Sequence, residues 1–259
     1  MTLREHSLKN IYIGKYEPNF ATQWPAPDGF HVPLKTEWEW LKTIMDWLGL
    51  TSWDNWRINL HLPFAGYRIY DSANITAQGS IGLYWSSSPY GSSYPYNSRC
   101  LYMSSSNLFA NYNSFRTGGF SVRCFKNSFE LPTSSWTVIN GTLWWAWIFW
   151  NQTEWLISIT SDWTTWYTIQ DKNLWATTVY NNWDTLSQSN CGKYYQWGNN
   201  YWFAWTWSVT TSWTKVNAQN YWPWNYYESS TFIKNSNWYW DSSNNDNLRW
   251  WVDWNVPVE

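Results

Sequence analysis

Three histidines, three cysteines and one tyrosine-rich stretch are the residues of this chain whose types could do chemistry. His6, His31 and His61 share no metal-ligand spacing with one another or with a cysteine. His31 in GFHVP and His61 in LHLP sit in apolar strings, the setting of a structural histidine. Cys100, Cys124 and Cys191 cannot all pair within the chain. Cys100 and Cys124 flank a strand-rich segment and form the candidate disulfide of an exported protein. No GxSxG elbow and no phosphate-cradling glycine loop occurs. What remains is YWSSSPYGSSYPYNSRCLYMSSSNLFANYNSFR, residues 84–116. Tyrosine gives rigid contact area at low entropic cost, and serine and asparagine give adaptable hydrogen bonds, the chemistry of a binding surface rather than of catalysis. The candidate ligand contacts are Tyr90, Tyr94, Tyr96, Asn97, Tyr102, Asn107, Asn111, Tyr112, Asn113 and Arg116.

The remaining composition agrees with that direction. Net charge is −2 and charged residues make up 13% of the chain, about half the usual share. No Lys/Arg cluster is available to neutralise phosphates, so nucleic acid is not an expected partner. The stretch GTLWWAWIFWNQTEW, residues 141–155, suggests a membrane span, but its apolar run stops at Trp150, far short of the roughly 20 residues a bilayer requires. Membrane insertion and cofactors are not expected. The N-terminus has no apolar segment of a secretory signal, so the chain reads either as cytosolic or as a piece of a larger product. Its Asn, Ser, Thr and Tyr surface suits an exposed, adhesive protein.

Tryptophan and glycine trade places along the sequence. Residues 1–135 hold 7 Trp and 9 Gly, whereas residues 136–259 hold 22 Trp and 3 Gly. Many of the later tryptophans stand in turn-like contexts: SDWTTW, NNWD, TSWTK, YWPWN and SNWYWDSS. Such stretches call for a residue that tolerates positive φ, which is glycine. The expectation is that many of these Trp are UGA codons that the source lineage reads as Gly; the alternative is a true aromatic-rich surface.

The elements that would position these residues are partly readable. TEWEWLKTIMDW predicts a helix over residues 36–47, with Thr36 as N-cap, Glu39 closing a capping box, and Trp38, Leu41, Met45 and Leu48 facing a core. After Leu60 short apolar runs broken by Gly, Ser, Asn and Pro read as strands and long loops. In the second half WLISITSDW, WYTIQDKNL and TFIK read as strands, with a helical period only near residues 184–195. The expected organisation is an N-terminal segment over 1–21, one unit over 22–127, a linker over 128–136 and a second unit over 137–259.

PAPDGFHVPLKTEWEWL, LPFAGYR, GLYWSSSPY and GFSVRCFKN, in that order over residues 25–127, resemble the C-terminal half of the Fibrobacter succinogenes major paralogous domain. With Trp read as Gly, residues 167–203, 221–233 and 245–254 resemble the N-terminal half of the same family. The resemblance implies an α+β, C-type-lectin-like fold of small twisted antiparallel sheets with one or two helices and long loops, related to formylglycine-generating enzymes. It also implies reversed halves, either ends of two tandem repeats or one permuted domain. A permuted domain predicts that residues 167–169 pair near the GFSVRC strand and that NDNLRWW approaches PAPDGFHVP. The resemblance supports genuine tryptophan at Trp38, Trp85, Trp136 and Trp197. The enzyme relatives hold copper with two cysteines, but Cys124 reads as core or disulfide. The family's cysteine before DGFHVP is Ala26 here, which removes that bridge to Cys124. EPN at residues 17–19 spells a calcium-dependent mannose signature without its WND companion. DSSNNDN at 241–247 lacks the glycine and terminal glutamate of a calcium loop.

These readings lead to a non-catalytic ligand-binding or adhesion module of a surface repeat protein, located outside the cell, with a protein or glycan ligand and neighbouring repeats as partners. A structural spacer repeat and a degenerate formylglycine-generating-type enzyme are the alternatives.

Overall fold

A run of apolar residues at helical spacing builds the first element. The structure, a computed structural model, describes residues 26–27, 29–90, 97–127, 137–141, 147–160, 166–197, 199, 201–206, 208–213 and 230–234. Helix α1 (Lys35–Trp47) buries Trp38, Leu41, Ile44 and Met45 and leaves Trp40 and Trp47 exposed, the register its pattern dictates. Its start differs from the expectation at Thr36. The N-cap is Leu34, in extended conformation, and the Glu37 carboxylate rather than Glu39 accepts the Leu34 N–H at 2.8 Å. Glu37 is held there by His31, whereas Glu39 turns away and accepts from the Asn111 amide. A short helix not foreseen in the sequence, α2 (Trp53–Asn59), starts where the Ser52 hydroxyl accepts the Asn55 N–H. Near residues 184–195 only one turn forms, α3 (Gln188–Cys191).

The strands are short and almost all antiparallel. One sheet joins β1 (Phe30–His31), β8 (Phe125–Lys126) and β9–β12 (Thr137–Gly141, Trp147–Asn151, Leu156–Thr160, Trp166–Gln170) in the order β1-β8-β12-β11-β10-β9. A second sheet joins β2 (Tyr67–Arg68), β3 (Ile75–Thr76), β7 (Gly119–Phe120), β13 (Tyr194–Gln196) and β14 (Trp202–Phe203) in the order β14-β13-β7-β2-β3. Strands β4 (Ile81–Pro89), β5 (Asn97–Ser104) and β6 (Leu108–Phe115) form a third, and the parallel pair β15 (Thr211–Ser212) and β16 (Phe232–Ile233) a fourth. This is an α+β fold.

Both larger sheets cross between residues 22–127 and 137–259, so those stretches are not independent lobes. Ile169 pairs with Phe125, Tyr195 with Phe120, and the Leu174 N–H donates to the Val122 carbonyl at 2.9 Å. Residues 167–169 therefore pair next to the GFSVRC segment. The segments 1–21 and 128–136, and the NDNLRWW, EPN and DSSNNDN strings, fall outside the described residues.

One apolar core unites α1 with Tyr84, Leu101 and Met103 of the three-stranded sheet and with Ile148, Ile157, Ile159 and Ile169 of the six-stranded one. A second core, with Leu83, Trp85, Cys100, Phe120, Val122, Cys124, Tyr195 and Trp197, lies on the other face of β4 and β5. Between the halves sits Arg123, fully buried. It donates to the carbonyls of Leu60, His61 and Gln170 and to Asn173 Oδ1 at 2.6–3.1 Å.

His31 fixes the entry to α1. Its Nε2 faces both Glu37 oxygens at 3.0 and 2.9 Å, and its Nδ1 faces Asn127 Oδ1 at 2.7 Å. Two acceptors on two ring nitrogens call for the doubly protonated ring. Burial lowers its pKa, but the Glu37 charge and the hydrogen bonds to Glu37 and Asn127 outweigh burial, and the net shift is upward from 6.5. The stabilisation is thus complete below the unfolded value near 6.5 and is lost as pH rises through the raised folded value. Urea titrations between pH 5 and pH 9 are expected to show the native protein losing its advantage over His31→Gln toward the alkaline end; a constant difference would contradict the assignment.

Candidate ligand-binding surface

The sequence pattern places the candidate surface on β5 and β6, and the register decides which side chains gather. Cross-strand partners share a face, and Leu83 pairs Tyr102, Trp85 pairs Cys100, Tyr102 pairs Phe109 and Cys100 pairs Tyr112. That face starts over the second core at β4 and ends in the open at β6. Its opposite face packs on α1.

Six aromatic side chains make up the candidate strip: Tyr102, Phe109 and Tyr112 touch one another, Tyr70 touches Phe115, and Tyr67 packs on the second core. Tyr102 lies 4.9 Å from Tyr112 and 6.0 Å from Phe109, and Phe109 and Tyr112 are near parallel at 6.2 Å. Phe109 is 47% and Tyr112 40% exposed, high values for rings that already touch one another. Tyr67 of β2 packs on the second core, as Tyr102 does, and its phenol is pushed upward first by burial and then by the phenols of Tyr102, Tyr112 and Tyr70. Tyr70 in turn packs on Phe115 at 4.7 Å. Burial also raises the Tyr112 phenol. Tyr67 and Tyr112 therefore stay protonated at neutral pH and offer O–H donors beside apolar ring faces. None of the six carries a charge, and Tyr67 rests edge-on against Phe120 of the second core.

The other expected contacts divide. Asn107 is exposed in the β5–β6 turn, where its N–H is held by Ser104. Asn113 is half-buried opposite Arg99. Asn111 points to α1 and donates to Glu39. The Asn97 carbonyl accepts from Arg116, which is buried against the Trp197 ring at 4.1 Å. Arg116 is thereby corrected from a ligand contact to an internal one, because its guanidinium is covered by Trp197. Tyr90 stacks on Arg99 at 4.2 Å, and Tyr94 and Tyr96 lie outside the described residues. Tyr67, Tyr70, Phe109 and Phe115 were not among the expected contacts. Tyr67 comes from β2 and Tyr70 from the turn after it, both remote in sequence, and alternation along β6 was the one available signal for Phe109.

Among the described residues the three cysteines and His61 are turned inward, and His6 lies outside the described residues. All three cysteines are free and buried, so the expected Cys100–Cys124 bridge is absent; both are unbridged thiols within the second core. Burial raises the Cys100 thiol and pushes Cys124 and Cys191 up to about 12, the opposite of an activated nucleophile. His61 is buried, gives its Nδ1–H to the Tyr180 carbonyl at 2.9 Å, and is pushed down to about 4 by burial. Among the described residues no three His, Cys, Asp or Glu side chains group as metal ligands, and no helix is long and apolar enough to cross a membrane.

Residues 51–125 match a family described as a domain of unknown function (DUF8237), a stretch that contains all six strip residues. No curated protein and no solved structure matches the chain.

Proposed function

We propose that the protein is a non-catalytic ligand-binding or adhesion module displayed outside the cell within a repeat protein, and that it contacts a protein or glycan ligand through the Tyr/Phe strip. The observation that carries this reading is an uncharged, partly exposed aromatic set centred on the touching rings of Tyr102, Phe109 and Tyr112, together with Tyr67 and the Tyr70–Phe115 pair. Ring faces attract the weakly positive C–H groups of a sugar or an aliphatic side chain, while phenols bond its hydroxyls or amides. A C-type-lectin-like arrangement belongs to the same proposal, supported by the docking of the two order-reversed halves through β7–β13 and β8–β12.

Screening on glycan and protein arrays tests it. A ligand retained by the native protein should lose about five- to thirtyfold in affinity on Tyr112→Ala or Phe109→Ala, since exposed rings at the centre of an interface carry about 1–2 kcal/mol each. Binding should change little with salt, because no strip residue is charged. Array silence, or a ligand indifferent to both substitutions, would favour the spacer-repeat reading.

A further inference from the structure

We propose that the native chain carries glycine at Trp155 and Trp175 through UGA codons that its own cells decode as glycine. The backbone carries the argument. Among the described residues five non-glycine positions have φ between 51° and 64°, and two of them are Trp155 (60°) and Trp175 (64°). The left-handed region crowds Cβ against the backbone, and residues that visit it usually have a short polar side chain to bond locally. An indole is neither short nor placed to bond its own turn, and that of Trp175 reaches instead toward Tyr195, remote in sequence. His61, by contrast, is anchored by Tyr180, and Ala73 and Ala77 are small.

The local geometry is that of glycine turns. Trp175 is the third residue of a turn closed by the Ala176 N–H on the Asn173 carbonyl at 2.9 Å, the place where positive φ selects glycine. Trp155 is the last residue of the β10–β11 loop, directly before β11. In that loop Asn151 Oδ1 accepts the N–H groups of Thr153 and Glu154. Read with glycine, both loops have ordinary turn chemistry. Both rings lie at the surface: Trp155 is 44% exposed with Lys172 over its ring at 4.3 Å, and Trp175 is 46% exposed with Lys193 over its ring at 5.0 Å.

Position along the chain separates the two residue types. Of the five positive-φ glycines four, Gly29, Gly49, Gly66 and Gly79, precede residue 128, and both positive-φ tryptophans follow it. Tryptophans with the opposite character are also present. Trp38, Trp85 and Trp197 are fully buried and donate their indole N–H to the carbonyls of Trp85, Tyr195 and Ser86. These are genuine. The strip is made of tyrosine and phenylalanine alone, so this inference and the proposed function stand or fall separately.

Codon reading and mass spectrometry test it directly. UGA at 155 and 175, with UGG at 38, 85 and 197, is expected. Peptides from the protein isolated from its own cells should carry glycine at both UGA positions. UGG at 155 or 175, or a tryptophan-containing peptide there, overturns the proposal. In the full-length protein Trp155→Gly and Trp175→Gly should each raise the melting temperature, and the absence of a rise in both removes its physical basis.

Discussion

Arg123→Ala is expected to leave little folded protein. Five contacts from one guanidinium hold the carbonyls of Leu60 and His61 from the first half, and the Gln170 carbonyl and Asn173 Oδ1 from the second. Burial lowers its pKa to about 10, which still leaves the group charged at neutral pH. Alanine removes the charge but strands four acceptors in a dry interior, each unmet acceptor costing about 1–3 kcal/mol. Partial relaxation brings the loss to about 3–5 kcal/mol, a large part of the roughly 5–15 kcal/mol that stabilises a domain. Arg123→Lys should recover little, because a single ammonium cannot reach acceptors spread around the edge of the planar guanidinium. Urea denaturation measures both variants. An Arg123→Ala protein within about 1 kcal/mol of the native one would show that the two halves are held together elsewhere.

The contrast between Arg123 and α1 explains how much of the molecule could be read from its residues. The α1 face was legible because Trp38, Leu41 and Met45 recur at the helical period and all three are buried. Arg123 was written out in GFSVRC but had no readable role, since its partners are backbone carbonyls and Asn173, which carry no sequence signature. The α1 cap shifted for a related reason: Glu37 is placed by His31, a tertiary contact, whereas a capping box considers only local spacing. Residues 156–160 and 166–170 read correctly as strands from their apolar runs. The binding surface was half legible. Composition pointed to residues 84–116, but the bulges in β5 pairing decide that Tyr102 and Tyr112 join Phe109, while Asn97, Asn111 and Arg116 turn inward. Tyr67 and Tyr70 arrive only because β2 pairs β7 across the second sheet.

The second large effect is expected at Trp85. Its ring is fully buried and stacks on Phe120 at 4.1 Å, and its Nε1–H donates to the Tyr195 carbonyl at 2.7 Å. The same residue accepts the Trp38 indole N–H at its carbonyl, so it links α1, the three-stranded sheet and β13. Trp85→Ala opens a cavity in the second core, and truncating a buried tryptophan costs about 3–5 kcal/mol. Trp85→Phe keeps much of the packing and loses the hydrogen bond, for about 1–2 kcal/mol. The sign is opposite to that expected at Trp155 and Trp175, where removing the ring relieves a left-handed backbone. Tyr67 and Tyr102 pack on the core that contains Trp85, so a partly folded Trp85→Phe protein should also bind strip ligands more weakly with the strip residues themselves intact. Denaturant unfolding of Trp85→Ala within about 1 kcal/mol of the native protein would mean that this core tolerates a void, and would remove the floor assigned to the strip.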